Sequence, residues 1–219
     1  MLSHIGVESF ISKDNLLYTR SLVADYSPYY ETGVRLSSQL TDRFSGQLLL
    51  LNGWQNISES NTQKAVGTQL AYDFTPNFSL VYNTFFGHES NAFRQFNDFT
   101  FKWSPSELWK VHFQADLGFQ DSDSWGGFSL MAKRTLSSRW ALNGRVEYYS
   151  DPEQVILNTG TANPFRAWGA SLGVDTTLDT AAWWRNEIRG YWAGNAVFPA
   201  QSGLKKTDAV IVSSISFAF

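Results

Sequence analysis

The chain has 219 residues, with 17 basic and 20 acidic side chains, no cysteine and a formal net charge of −3. These numbers exclude disulfides, thiol chemistry and cysteine metal sites, and without any lysine- or arginine-rich run they argue against a nucleic-acid partner. Aromatic residues make up 16% of the chain, yet the mean hydropathy is slightly negative. That combination is typical of transmembrane β-barrels, whose strands expose only alternate residues to lipid.

Alternation with a period of two residues is the main pattern along the chain. In the stretch "LWKVHFQADLGFQ", Trp109, Val111 and Phe113 are apolar, whereas the intervening Lys110 and His112 are polar. A helix would spread these apolar residues around its whole surface, so the pattern predicts a strand with two different faces. Similar segments and the breaks between them predict about twelve strands, near residues 2–10, 30–40, 45–56, 64–74, 78–87, 95–103, 108–120, 125–135, 139–150, 165–177, 181–193 and 207–219.

The connections between these segments alternate in length. Short turns such as "TDRF", "TPN" and "LDT" alternate with longer polar loops, including residues 87–95, 150–164 and 193–206. Short turns on one side and longer loops on the other are typical of outer-membrane barrels. The fold class predicted from the sequence is therefore all-β, a transmembrane antiparallel up-and-down β-barrel in the bacterial outer membrane.

The aromatic residues support this interpretation, because a membrane barrel carries aromatic girdles at its two interfaces. One set falls beside the predicted short turns: Phe74, Phe78, Trp103, Trp109, Trp140 and Trp184. The other set falls beside the predicted long loops: Trp54, Phe86, Phe119, Tyr148, Trp168 and Trp192. A soluble β-sandwich or a lipocalin-like barrel is the alternative, with the apolar parity forming a core.

The C-terminal strand ends on an aromatic residue, with Ile215, Phe217 and Phe219 on one parity. This ending resembles the terminal assembly signal of bacterial outer-membrane proteins. The resemblance implies the barrel-assembly machinery as a partner, alongside outer-membrane lipid.

The first 90 residues carry a more particular set of motifs. They contain Gly-x-Glu, Asn-x-x-Tyr-Thr-Arg-Ser, Thr-Gly-Val-Arg, Asn-Gly-Trp and Lys-x-x-Gly-x-Gln-Leu-x-Tyr, which fall on Gly6 and Glu8, Asn15 to Ser21, Thr32 to Arg35, Asn52 to Trp54, and Lys64 to Tyr72. This order resembles the β-barrel porin family described as OmpL-like. The resemblance implies an outer-membrane channel for passive diffusion of small polar solutes or ions, without a cofactor and without enzymatic activity.

Members of that family usually carry a signal peptide and several further strands before the Gly-x-Glu segment, whereas the first ten residues here resemble no signal peptide. The expectation is one barrel domain over residues 1–219. Whether that domain is a natural short form or the C-terminal part of a larger barrel stays open.

If the aromatic parity faces lipid, the opposite parity faces the lumen, where charged groups stay hydrated only in contact with water. The predicted pore-lining residues are Arg35, Lys102, Lys110, His112, Asp116, Lys133, Arg145, Glu147, Arg185, Glu187 and Arg189. Their excess of positive charge predicts a mild anion preference. Two arrangements stay open at about twelve strands: a narrow pore, which the sequence favours, or a lumen filled by paired charges.

Two other function classes are alternatives to a channel. An outer-membrane hydrolase needs a nucleophile, a base and an orienting group, and no nucleophile motif accompanies the three histidines; no two histidines share a metal-ligand spacing either. A non-conducting barrel with partner-binding loops is the other alternative. Its best candidate is the Tyr-rich stretch 12–30, which could equally fold back into the pore and constrict it.

Overall fold

The protein is an antiparallel β-sheet structure with almost no helix. The computed structural model describes residues 1–58, 63–89 and 91–217. The long strands are β1 (Gly33–Thr41), β2 (Phe44–Leu51), β3 (Ala65–Thr75), β4 (Phe78–Glu89), β5 (Ala92–Ser106), β6 (Trp109–Gln120), β7 (Asp123–Thr135), β8 (Trp140–Asp151), β9 (Phe165–Asp179), β10 (Ala182–Ala193) and β13 (Thr207–Phe217). A two-stranded hairpin, β11 (Phe198–Pro199) and β12 (Leu204–Lys205), lies in the loop before β13.

The eleven long strands form one up-and-down sheet in chain order, with β1 and β13 at its edges. Every neighbouring pair in that sheet is antiparallel. Within the described residues, no ladder joins β1 to β13. The connections β1–β2, β3–β4, β5–β6, β7–β8 and β9–β10 define the short-turn end of the barrel wall, and the opposite edge is the long-loop end.

The two faces of the wall differ in the way the alternation predicts. The run Leu48 to Leu51 is apolar on both parities, and the structure explains why: Leu48 and Leu50 are half exposed on the outer face, whereas Leu49 and Leu51 are fully buried inside. Across the sheet, large apolar side chains such as Leu172 and Ile211 stay more than 70% exposed on the outside. An apolar outer surface of this extent suits hydrocarbon as its solvent.

Asn186 is a polar residue on the apolar outer parity. Its Oδ1 accepts a hydrogen bond from Ser213 Oγ at 2.8 Å, and Ser213 Oγ accepts one from Trp184 Nε1 at 2.9 Å. The three polar groups satisfy one another, which removes most of the penalty for placing them toward lipid.

The prediction of a strand at residues 2–10 is wrong. Residues 1–32, called the inner segment below, contain a 3₁₀ turn (Ser12–Asp14), a short α-helix α1 (Leu22–Asp25) and a single isolated bridge between Leu2 and Tyr30. Ser21 caps α1 by accepting a hydrogen bond from the backbone N–H of Ala24. No helix among the described residues is long and apolar enough to cross a membrane.

The predicted loop at residues 87–95 is also largely wrong, because β4 continues to Glu89 and β5 begins at Ala92. Residue 90 lies outside the described part. The longer loops at 152–164 and 194–206 are confirmed as the connections β8–β9 and β10–β13. Polar residues in strands whose inner face is hydrated do not mark strand ends, which is why the loop was predicted too long.

A hydrophobic cluster fills the long-loop half of the interior. Leu22 and Val23 from the inner segment pack there with wall side chains including Phe85, Phe96 and Tyr149. Trp54, predicted as an interface residue, instead turns inward and contacts the rings of Phe85 and Phe96 with centroid distances of 5.1 and 4.9 Å. Burial of each large side chain contributes about 1.5–3 kcal/mol.

Candidate functional site

The candidate site is the concave face of the wall together with the inner segment that crosses it. Gly6 is bound to Asp98 on β5, while Ser12 is bound to Arg185 on β10, so one short segment touches distant strands of the sheet. Only a sheet curved around the inner segment allows both contacts. The inner segment therefore lies inside the lumen.

Four of the five charged residues predicted on β8 and β10 come together as one buried network: Arg145, Glu147, Glu187 and Arg189. Arg189 Nη2 lies 2.7 Å from Glu147 Oε1, and Arg145 Nη2 lies 3.2 Å from Glu187 Oε1. Arg145 Nε is 3.4 Å from Glu147 Oε1. All these side chains are buried, so their charges are largely neutralised by one another and not by bulk water.

Arg185 holds the tip of the inner segment, the part nearest the short-turn end. Its guanidinium donates to the backbone carbonyls of Ser12, Asn15 and Leu16 at 2.7, 3.1 and 2.9 Å. Asp175 Oδ1 accepts a hydrogen bond from Arg185 Nε at 3.1 Å, which fixes the orientation of the guanidinium. Hydrogen bonds from a charged donor contribute about 1.5–3 kcal/mol each, which makes Arg185 a strong anchor.

The middle of the inner segment is held at Thr19. Its backbone N–H and its hydroxyl both donate to Glu187, at 2.8 and 2.6 Å. Arg145 donates to the Thr19 carbonyl at 2.7 Å, and Glu147 accepts from the backbone N–H of Leu22 at 2.6 Å. The charged residues of β8 and β10 that were predicted to line a pore therefore bind the backbone of the inner segment.

The start of the inner segment is attached at His4, which is buried. His4 Nδ1 lies 2.8 Å from Glu31 Oε2, and His4 Nε2 lies 2.9 Å from the Thr84 carbonyl on β4. Both partners can accept a hydrogen bond, so each ring nitrogen has an acceptor within hydrogen-bonding distance. Gly67 on β3 makes room for the ring, since a Cβ there would lie 2.8 Å from His4 Cε1.

The next residues bind uncharged and acidic wall groups at mid-height. The backbone N–H of Gly6 donates to Asp98 Oδ2 at 3.0 Å, and that of Val7 donates to Gln114 Oε1 at 3.1 Å. Gly6 has φ of +89°, a conformation that side chains rarely adopt. In a strand, these two backbone N–H groups would have bonded to a neighbouring strand; here they bond to side chains of the wall.

Glu8 and Asp25 are carboxyl groups of the inner segment itself. Burial raises the pKa of Glu8, opposed by Arg145 and by the hydrogen bond from Ser21. Burial likewise raises the pKa of Asp25, opposed first by Arg20. Both groups thus take up protons at a higher pH than ordinary carboxylates.

The cross-strand register places the remaining predicted residues on the same concave face. Lys102 pairs with His112, and Lys110 pairs with Lys133. Lys133 binds Asp175 at 2.6 Å, whereas Lys102 and Lys110 are exposed toward the short-turn end. Two further predicted residues lie elsewhere on this face: Asp116 opposite Asp98, and Arg35, exposed on the edge strand β1. That these residues line a conducting pore stays a prediction.

Cavities open at both ends of the inner segment. At the short-turn end, Lys13, Asp14 and wall residues including Trp183 and Ser216 surround about 230 Å³. At the long-loop end, a cavity of about 300 Å³ is lined by Asp25, Tyr26, Ser27, Tyr29, Trp54, Gln55, Arg94, Val155 and Ile156.

Sequence reasoning missed His4, Asp98, Gln114 and Thr19 as partners in this arrangement. A signal was available, because several residues of the family-like motifs shape it: Gly6 by its backbone conformation, Glu8 by binding Ser21, and Gly67 by admitting His4.

The terminal residues Ile215 and Phe217 face outward and are exposed, while Phe219 lies outside the described residues. Within the described part of the chain, no group of three or more potential metal ligands is found.

An all-β, up-and-down wall with an apolar outside and a polar interior defines an outer-membrane β-barrel. The family model described as "Putative beta-barrel porin-2, OmpL-like" matches residues 1–219, and the chain belongs to this family. The protein is accordingly located in the bacterial outer membrane. No curated protein sequence matches it.

Solved structures share the fold at low sequence identity. The chain is similar to "NanC porin" with 10% identity and a TM-score of 0.50, covering 87% of this chain and 93% of that one. It is also similar to OmpT, an outer membrane protein of Vibrio cholerae, with 10% identity and a TM-score of 0.58, covering 84% of this chain and 63% of that one.

Proposed function

We propose that the protein is a passive channel for small polar solutes or ions, in which the inner segment forms the constriction. The observation that carries the proposal is the buried charged ladder of β8 and β10, which holds a polar backbone across the lumen. The cavities at the two ends of the inner segment supply the path on either side of the constriction, and the segment bound between them narrows that path.

Selectivity follows from which charges stay unpaired. Arg145, Arg185 and Arg189 are matched by Glu147, Glu187 and Asp175. Lys102 and Lys110 form no ion pair within the described residues and face the short-turn end. They are the groups that would give a mild anion preference there.

The test is the conductance of the folded 219-residue chain in a planar lipid bilayer, with a salt gradient to read ion selectivity. Discrete, stable steps with a mild anion preference support the proposal. Silence from protein shown to be inserted and folded overturns it.

Absence of conductance would favour a non-conducting barrel. The hydrophobic cluster in the long-loop half of the lumen supports that alternative, because it fills part of the interior. The Tyr-rich stretch considered as an external binding loop belongs to the inner segment, so partner binding would fall to the loops at 152–164 and 194–206. No enzymatic role is proposed.

A further inference from the structure

The cavity at the long-loop end combines aromatic rings with planar hydrogen-bonding groups. Three rings line it, those of Tyr26, Tyr29 and Trp54. The same cavity carries the Asp25 carboxylate, the Gln55 amide and the Arg94 guanidinium. Its volume of about 300 Å³ is at the lower end of the range for small-molecule sites.

The polar groups are held in place yet keep unused hydrogen-bonding atoms. Arg94 Nε and Nη2 donate to Gln120 Oε1 at 2.8 and 2.6 Å, and Gln55 Oε1 accepts from the Tyr29 backbone at 2.7 Å. Asp25 Oδ1 accepts from the Tyr29 hydroxyl at 3.1 Å. Within the described residues, Arg94 Nη1, Gln55 Nε2 and Asp25 Oδ2 form no hydrogen bond to the protein.

The rings are also fixed. The Arg20 guanidinium covers Tyr29 at 4.1 Å from the ring centroid, and the Arg94 guanidinium lies 5.1 Å from that of Trp54. Tyr26 packs on Tyr149 with a centroid distance of 5.0 Å. Gln55 has φ of +63°, a strained conformation for a residue with a side chain, and such strain occurs at ligand sites.

We infer that this cavity, the mouth site, binds a neutral sugar ring at the entrance of the channel. A carboxylate accepts from two hydroxyls and a guanidinium donates to two, so Asp25 and Arg94 match neighbouring hydroxyl groups of a pyranose. The aromatic side chains add apolar surface to the lining that its C–H groups can contact. Of the residues that line the cavity, one is acidic and one is basic, so the lining itself favours no ligand of a particular charge.

The biological purpose of sugar binding rests on the proposed channel function. The binding itself does not, because it is measured without transport. Glucose and maltose are titrated into the folded full-length chain in detergent micelles by isothermal calorimetry, with sorbitol as an open-chain polyol and glycine as a zwitterion. We expect saturable binding of the sugars and markedly weaker binding of sorbitol and glycine.

Two variants assign the binding to the mouth site. Tyr29→Leu should weaken sugar affinity by about tenfold, and Asp25→Asn should weaken it while leaving the shape of the side chain unchanged. Tyr148→Leu is the matched control, because Tyr148 packs against Phe128 and Trp168 on the outer face. It should bind as the unmodified chain does.

Equal binding by the Tyr29→Leu and Tyr148→Leu variants, absence of saturable sugar binding, or stronger binding of glycine would each overturn the mouth site. Conductance without sugar binding would leave the channel function standing and remove this inference. Sugar binding without conductance would keep the mouth site and remove the channel.

Discussion

Replacing Arg185 by Met tests how the inner segment is held in the lumen. The change removes three hydrogen bonds from a charged donor to the carbonyls of Ser12, Asn15 and Leu16. Removing one partner of a buried ion pair costs about 3–5 kcal/mol. Asp175 keeps its contact with Lys133 at 2.6 Å, so the lower value of about 3 kcal/mol applies.

Because about 1.4 kcal/mol corresponds to a factor of ten, the population with the tip detached should rise roughly 100-fold. Hydrogen exchange of backbone amides in residues 12–20, measured by mass spectrometry on the folded chain, should report this as a similar loss of protection. In bilayers, the same variant should show larger or noisier conductance steps.

Lys102→Met is the control for this prediction. It removes the same charge from the same concave face, and no contact between Lys102 and the inner segment is found among the described residues. Unchanged protection in the Arg185→Met variant would refute the anchoring role. An equal loss in the Lys102→Met variant would show that lumen charge alone, and not this contact, controls the segment.

Other substitutions test the remaining features. Lys110→Glu should move the reversal potential in a salt gradient toward cation preference, because it reverses an exposed charge at the short-turn end; an unchanged potential would place Lys110 outside the ion path. Phe217→Ser should remove about 1.5–3 kcal/mol of apolar stabilisation on the lipid-facing side and lower the yield of assembled barrel in outer membranes. If the terminal aromatic parity acts as an assembly signal, that yield should fall further than with Ile188→Ser, an outward residue of β10; equal yields would argue against a special role of the C-terminus.

The barrel wall was predictable because a strand between water and lipid must alternate. Trp109, Val111 and Phe113 reveal their strand without knowledge of its neighbours, and cross-strand pairing then follows from chain order. The alternating charges of β8 and β10 were assigned to the interior for the same reason. Apart from residues 87–95, where β4 and β5 continue through a predicted loop, local pattern and final structure agree in the strands whose backbone hydrogen bonds stay within the ladder.

The inner segment could not be predicted in this way. Residues 2–10 have a pattern compatible with a strand, but Gly6 and Val7 give their N–H groups to Asp98 and Gln114, side chains about 90 to 110 positions away in sequence. Trp54 lies beside a long loop, as interface residues do, yet its ring points into the barrel and packs against the ring of Phe85. Both outcomes depend on long-range contacts that periodicity does not contain.

Thiol labelling from each side of the membrane tests most directly whether the inner segment crosses the lumen. The chain has no cysteine, so Lys13→Cys and Tyr30→Cys each introduce a single reactive group at an exposed position. With a membrane-impermeant reagent, the cysteine at position 13 should react from the short-turn side and the cysteine at position 30 from the long-loop side. Reaction of both from the long-loop side would contradict the account, because the segment would then be an external loop.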